Sequence, residues 1–167
     1  MTRAGVAACF VILLALTACG SVLPRVVDGL PDEIDGLELT EQSLAVDGRL
    51  AAALDDAGLP ADAITGHEAR WGDDIRLVIL RFDAVGLEDV SRVARALLGI
   101  GQVESSMGFV GNQTVFDLTG PDVEGVAYQF VPGGGGSETL MYTIVAPTEA
   151  DAEPIVGAIA DANPPED

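Results

Sequence analysis

The sequence has no lysine, one histidine, two cysteines and few aromatic residues, 5% of its 167 positions. Each scarcity removes a class of chemistry. Without Lys there is no Schiff base, no Ser–Lys pair and no P-loop cation for phosphates. The one histidine, His67, is followed by Glu68-Ala69-Arg70-Trp71 and lacks the second His of H-E-x-x-H, so it makes no zincin site. A Ser-His-Asp triad would have to use His67, yet no G-x-S-x-G elbow presents a nucleophile. His67 reads more simply as a strand-edge histidine near Trp71. Two Cys build neither a disulfide scaffold nor a four-thiolate zinc centre. A glycosidase's paired carboxylates normally work between aromatic walls, and this chain has few aromatics to supply them. Neither a catalytic set, nor a cofactor, nor a metal site is expected.

Positive charge is scarce as well. Eight Arg stand against 27 Asp and Glu, a formal net charge of −19. A body this acidic repels phosphate backbones, which excludes nucleic acid as a partner. Carboxylates gather at Asp28, Asp32, Glu33, Asp35 and Glu38, and again at Asp73-Asp74. Calcium needs about six to eight oxygens in one loop. The spacing of Asp28, Asp32 and Asp35 does not match D-x-[DN]-x-[DN]-G, so a solvated acidic surface is the expectation. The run Gly133 to Gly136 lies between two predicted strands and opens no helix. It reads as a hairpin loop rather than a phosphate cradle.

What the chain does have is concentrated at its N-terminus. Arg3 precedes an apolar run from Val6 to Leu16, too short to span a bilayer core of about 30 Å. That is the shape of an export signal. The run ends in Leu16-Thr17-Ala18-Cys19, followed by Gly20-Ser21. This resembles the lipobox of bacterial prolipoproteins: a Leu, two small residues and a Cys. The resemblance implies that Leu16, Thr17 and Ala18 are recognised by a signal peptidase. It also implies that Cys19 becomes a lipidated N-terminus on the outer face of the cell membrane. Cys9 lies inside the apolar run and would leave with the signal peptide. The membrane, through lipidated Cys19, is the one partner expected; any protein or small-molecule partner is left unnamed.

The length suits one domain. Residues 1–18 are expected as signal peptide, 19–31 as lipidated Cys and tether, 32–160 as a single domain and 161–167 as a disordered tail. The clearest helix is Leu87–Leu98, where Val90, Val93, Ala94, Leu97 and Leu98 share one stripe and Gly99 gives the stop. A second is expected from a cap at Asp47 to Ala57, with Leu50, Ala51 and Leu54 inward and Gly58 closing it. A third spans Glu149–Ala160, its regular part beginning near Pro154. Ile75–Phe82 reads as a central strand, preceded by Thr65–Trp71 across a Gly72-Asp73-Asp74 turn. Further strands are expected at Gln102–Val110, Thr114–Leu118, Val126–Val131 and Thr139–Val145. Strands in succession joined by short turns predict an α+β fold. Its antiparallel sheet would have about five to six strands, with about three helices packed on one face.

Leu30 to Leu39 (LPDEIDGLEL), the L-x-x-x-L helix closed by Gly58, and the hairpin into IRLVILRF are similar to a group of extracytoplasmic domains from high-GC Gram-positive bacteria. The similarity covers roughly residues 30–160. It implies an α+β fold and an extracytoplasmic location but no catalytic residues, because the group has no established activity. Within the central strand, Arg76 and Arg81 fall on opposite faces. Arg81 shares the face of Ile75, Leu77 and Ile79, which hints at a buried cation in need of a partner; the plainer reading is a strand end emerging into solvent. The function expected is a lipid-anchored extracytoplasmic binding or interaction module without catalysis. The alternative is a cell-envelope hydrolase or a small-molecule or lipid carrier.

Overall fold

A computed structural model of the protein describes residues 27, 29–44, 48–132 and 139–163. In chain order these hold β1 (Glu33–Ile34), β2 (Leu37–Ser43), α1 (Gly48–Asp56), β3 (Ile64–Trp71), β4 (Ile75–Phe82), α2 (Leu87–Leu98), β5 (Glu104–Val110), β6 (Gln113–Thr119), β7 (Val126–Phe130), β8 (Thr139–Ala146) and α3 (Glu149–Ala162). All strands join one antiparallel sheet in the order β1-β2-β3-β4-β8-β7-β6-β5. The chain builds one meander outward-in to β4, crosses by α2 to the far edge, and builds a second meander inward to β8. The α+β class and the antiparallel sheet are as expected.

The strand count is not. Eight strands form rather than five or six, and the additional pair is the hairpin β1–β2. Its turn is Asp35-Gly36, both at positive φ (51° and 80°), as a two-residue hairpin loop of the I′ kind requires. The sequence LELTEQS that follows buries no residue fully, so it lacks the apolar run by which the other strands are read.

The helices also divide between the two faces instead of sharing one. Leu77, Ile79, Tyr142 and Ile144 pack with Ile155, Val156 and Ile159 of α3. Val78, Leu80 and Met141, their neighbours of opposite parity, pack with Leu50 and Leu54 of α1 and Val90, Val93 and Leu97 of α2. A central strand apolar on both faces needs cover on both, which is why IRLVILRF shows no alternation. Burying each such side chain contributes on the order of 2 kcal/mol. Phe130 and Tyr142 stack on the α3 face with ring centroids 5.5 Å apart.

α2 has the expected bounds, and Gly99 closes it at φ 75° with its N–H on the last-turn carbonyls. In α1 the inward residues are Leu50, Ala53 and Leu54; Ala51, expected inward, is exposed because the helix presents its third alanine to α2. α3 begins at Glu149, ahead of Pro154, because Thr148 and Asp151 form a reciprocal capping box. Pro154 is exposed inside the helix, and the helix runs to Ala162, past the expected end at 160. The core also reaches into the segment assigned to the tether. Val27 and Leu30 are buried, and Trp71 Nε1 donates to the Pro31 carbonyl at 2.9 Å.

Candidate functional site

α2 covers β4 and β8, and α1 lies beside it over the β2–β3 side. No described helix continues this layer over β7, β6 and β5. Between β2 and β3 the chain inserts α1; between β5 and β6 it makes only the two-residue turn Gly111-Asn112. The uncovered sheet and the flank of α2 bound an open groove of about 550 Å³. Leu87, Val103, Phe116, Leu118, Val131 and Met141 make its apolar lining. A cleft of this size suits a drug-sized molecule.

The groove's floor carries a short polar chain. Ser91 Oγ donates to Gln129 Oε1 at 2.7 Å, and Gln129 Nε2 donates to the buried Thr143 Oγ1 at 3.0 Å. An amide oxygen is no base, so this contact does not activate the Ser91 hydroxyl as a nucleophile. It satisfies a buried amide and fixes α2 against β7 and β8. Arg95 sits at one end of the groove, its Nη1 on the Gly101 carbonyl and its Nε on the Ser91 carbonyl, both at 3.4 Å.

On the same side of the sheet, apolar residues face solvent. Met107 is 70% exposed, Phe109 69%, Leu87 55% and Phe116 49%. The β5–β6 register pairs Met107 with Phe116 and Phe109 with Thr114, which puts these side chains on the groove face. Sequence reasoning identified neither the groove nor this patch. The available signal was that Phe116 and Leu118 alternate with Val115, leaving apolar residues on both faces of a strand whose neighbours predict only one helix nearby.

At the opposite end of that face lies a closed polar cluster. Glu68 is buried, and its Oε2 accepts from Arg49 Nη2 (2.6 Å), Arg70 Nη2 (3.0 Å) and Gln42 Nε2 (3.0 Å). Its Oε1 accepts from Arg76 Nε at 2.8 Å, while Arg76 also donates to the Leu97 and Leu98 carbonyls at the end of α2. Burial pushes the carboxyl pKa up, but hydrogen bonds from Arg70, Arg49 and Arg76, with the charge of Arg76, prevail and hold it at about 2. The partner-seeking cation of β4 is therefore Arg76. Arg81, to which the hint of burial was attached, is exposed at the strand end, as the plainer reading had it.

His67 lies on the α3 face with Ala69 and Trp71, on the far side of the sheet from the groove. Its Nε2 is buried and has no hydrogen-bond partner among the described residues. Burial lowers its pKa, Glu41 offsets this and Arg81 adds to it. The acidic residues Asp32, Glu33, Asp35 and Glu38 belong to the β1–β2 hairpin and its flanks. Among the described residues no three His, Cys, Asp or Glu side chains come together as a metal site. Leu16, Thr17, Ala18 and Cys19, together with Cys9, Asp28, Asp47 and Gly133 to Gly136, lie outside the described residues. No described helix is long and apolar enough to cross a membrane. Comparison with protein families, characterised proteins and solved structures gives no match to this chain.

Proposed function

We propose that the chain is a lipid-anchored extracytoplasmic binding module whose groove over β5, β6 and β7 takes an apolar small molecule. The observation that carries the binding half is the groove itself, apolar at its walls and hydrogen-bonded at its floor. The anchor half rests on Leu16-Thr17-Ala18-Cys19 behind an apolar run, the pattern of prolipoproteins. Cleavage after Ala18 leaves Cys19 as the N-terminal residue carrying a diacylglyceryl thioether, whose two acyl chains make the anchor stable where one would hold marginally, since each buried CH₂ is worth about 0.8 kcal/mol.

The groove's lining equally favours a small-molecule or lipid carrier. The two readings separate on exchange: a carrier moves a fluorescent fatty acid between vesicles, and a binding module holds it. A hydrolase working through His67 is disfavoured, because His67 and the groove lie on opposite faces of the sheet.

Two measurements test the proposal. Cys19→Ala is expected to abolish labelling by fatty acid and to move the protein out of the cleaved, membrane-bound fraction; persistent labelling overturns the anchor. The anionic amphiphilic dye 1-anilinonaphthalene-8-sulfonate is expected to bind saturably, its rings on the apolar lining and its sulfonate toward Arg95. Thr114→Trp, an exposed position on the groove wall, should weaken it about tenfold or more by occupying the space. Unchanged dye binding in Thr114→Trp sinks the groove assignment.

A further inference from the structure

α2 runs along the groove, so its residues mark positions within it. Leu87 stands at one end and Arg95 at the other, about 12 Å apart along the helix axis. The sheet keeps the same order. Ser91 meets Gln129, which lies opposite Phe116, at mid-length. Arg95 reaches Gly101, just ahead of Val103, and Leu118 pairs with Ser105 at that end. Thr114 and Val131 then fall at the Leu87 end.

Arg95 is unusual in a chain with 27 carboxylates and eight arginines. Arg49, Arg70 and Arg76 converge on Glu68, and Arg92 pairs with Glu88 and Asp89. Among the described residues Arg95 meets no carboxylate. Its Nε and Nη1 reach only the Ser91 and Gly101 carbonyls, and its Nη2 donates to no described residue. Strand alternation sends Glu104 and Asp117 to the α3 face. Asp122 packs against Gly101 and is exposed, without an ion pair to Arg95. A guanidinium so placed keeps part of its donor fork for a carboxylate or phosphate. The net charge of −19 does not cancel this, since exposed charges are largely screened beyond a Debye length of about 8 Å.

We infer, on the reading of the groove as a binding site, that its ligand is a single-chain amphiphile with an anionic head. The head sits on Arg95, and the tail runs past Phe116 toward Leu87 and Val131. Charge sets the direction. Glu88 is the one carboxylate of the described lining and lies about 10 Å from Arg95 along α2, so an anion is held at one end and repelled at the other. At mid-length the Ser91 hydroxyl and the Gln129 amide already bond each other, which leaves that stretch to methylene groups. A tail there covers Leu87 and Phe116, both about half exposed, and removes their apolar surface from water.

Calorimetric titration of the full chain in discs of neutral lipid, with protein-free discs subtracted, tests this assignment. Decanoate and decyl phosphate are expected to bind about tenfold or more tighter than decanol, the worth of a charge-assisted bond, and decyltrimethylammonium least. The better of the two anions tells a carboxylate head from a phosphate. Arg95→Gln should bring both anions to within about twofold of decanol while decanol itself and the thermal midpoint hold. Arg95→Lys should keep part of the preference. Thr114→Trp, at the tail end, should weaken decanol and both anions alike. Decanol binding as tightly as the anions overturns the anionic head and leaves the groove reading standing. So does an anion preference that survives Arg95→Gln, or tighter binding of decyltrimethylammonium. Binding by none of these ligands, in a chain whose circular dichroism shows it folded, overturns the groove reading as well.

Discussion

The two ends of the α1–α2 face solve one problem in opposite ways. Over β2 and β3 the chain inserts α1 and closes the remaining gap with a buried carboxylate held by three guanidiniums. Over β5 and β6 it inserts two turn residues and leaves apolar side chains in the open. The sheet beneath the covered end is polar, with Thr40, Gln42, Glu68 and Arg70, and beneath the open end it is apolar, with Met107, Phe116 and Leu118; connection length decides which end receives a helix. A helix-sized insertion gives cover, and a tight hairpin gives a groove. The covered end contributes stability. The open end forgoes burial energy and gains a surface that another molecule can occupy.

If that division holds, substitutions at the two ends should differ sharply. The largest effect is expected for Glu68→Ala. Removing the carboxylate leaves three cations facing one another, and the loss should reach about 3 kcal/mol. This is the lower end for a broken buried pair, because Arg49, Arg70 and Arg76 keep 40, 32 and 20% of their side chains exposed and can recover water. Urea denaturation measures it. A loss under about 1 kcal/mol would mean the cluster is ornamental and the contrast between the ends is false.

Acid probes the same group without mutation. Glu68 titrates near about 2 in the folded chain and in the ordinary carboxylate range when unfolded. Between those values the unfolded state binds the additional proton, so stability falls as pH falls. The contribution is present in full above about pH 4.5 and is lost toward pH 2, on the order of 3 kcal/mol. The difference between wild type and Glu68→Gln across pH 5 to 2 isolates it from the other carboxylates. A constant difference over that range would refute the assignment.

At the boundary between the ends, Gln129→Leu should cost about 1–3 kcal/mol, because buried Thr143 and the Ser91 hydroxyl lose their partner together. Smallest is the effect of Phe116→Ser at the open end. Stability should change by about 0.5 kcal/mol or less while dye binding in the groove falls severalfold. A large stability loss there would show that the patch is part of the core.

Much of the fold was legible because its elements advertise themselves. The stripe Val90, Val93, Ala94, Leu97, Leu98 with Gly99 behind it marks α2 to the residue, and IRLVILRF marks β4. β1 and β2 were missed although Asp35-Gly36 is a hairpin signal. Their flanks are acidic and half-exposed, and a turn without alternating apolar neighbours is easily read as loop. His67 and Arg81, which the sequence singles out, both lie outside the polar cluster. The informative residue was Arg76, a cation set inside a run of Val, Ile and Leu, where only a partner on the same face makes burial tolerable. That partner, Glu68, sits across the β3–β4 ladder, opposite Val78 and diagonal to Arg76, a relation that exists only once the strands are in register.

The sequence by itself determined the length of most elements, the antiparallel connections and the acidic surface, because periodicity, turn residues and charge are local properties. It also carries the expectation of a lipidated Cys19, which is a matter of adjacent residues. Only the tertiary structure decided which face each helix covers. α1 and α2 fall on one side of the sheet and α3 on the other, and no described helix on the first side reaches over β5, β6 and β7. The groove, the bare β5 edge and the closed ion cluster follow from that distribution. The groove and the cluster are made of residues far apart in the chain, whereas the β5 edge is one contiguous strand that only the strand order leaves bare.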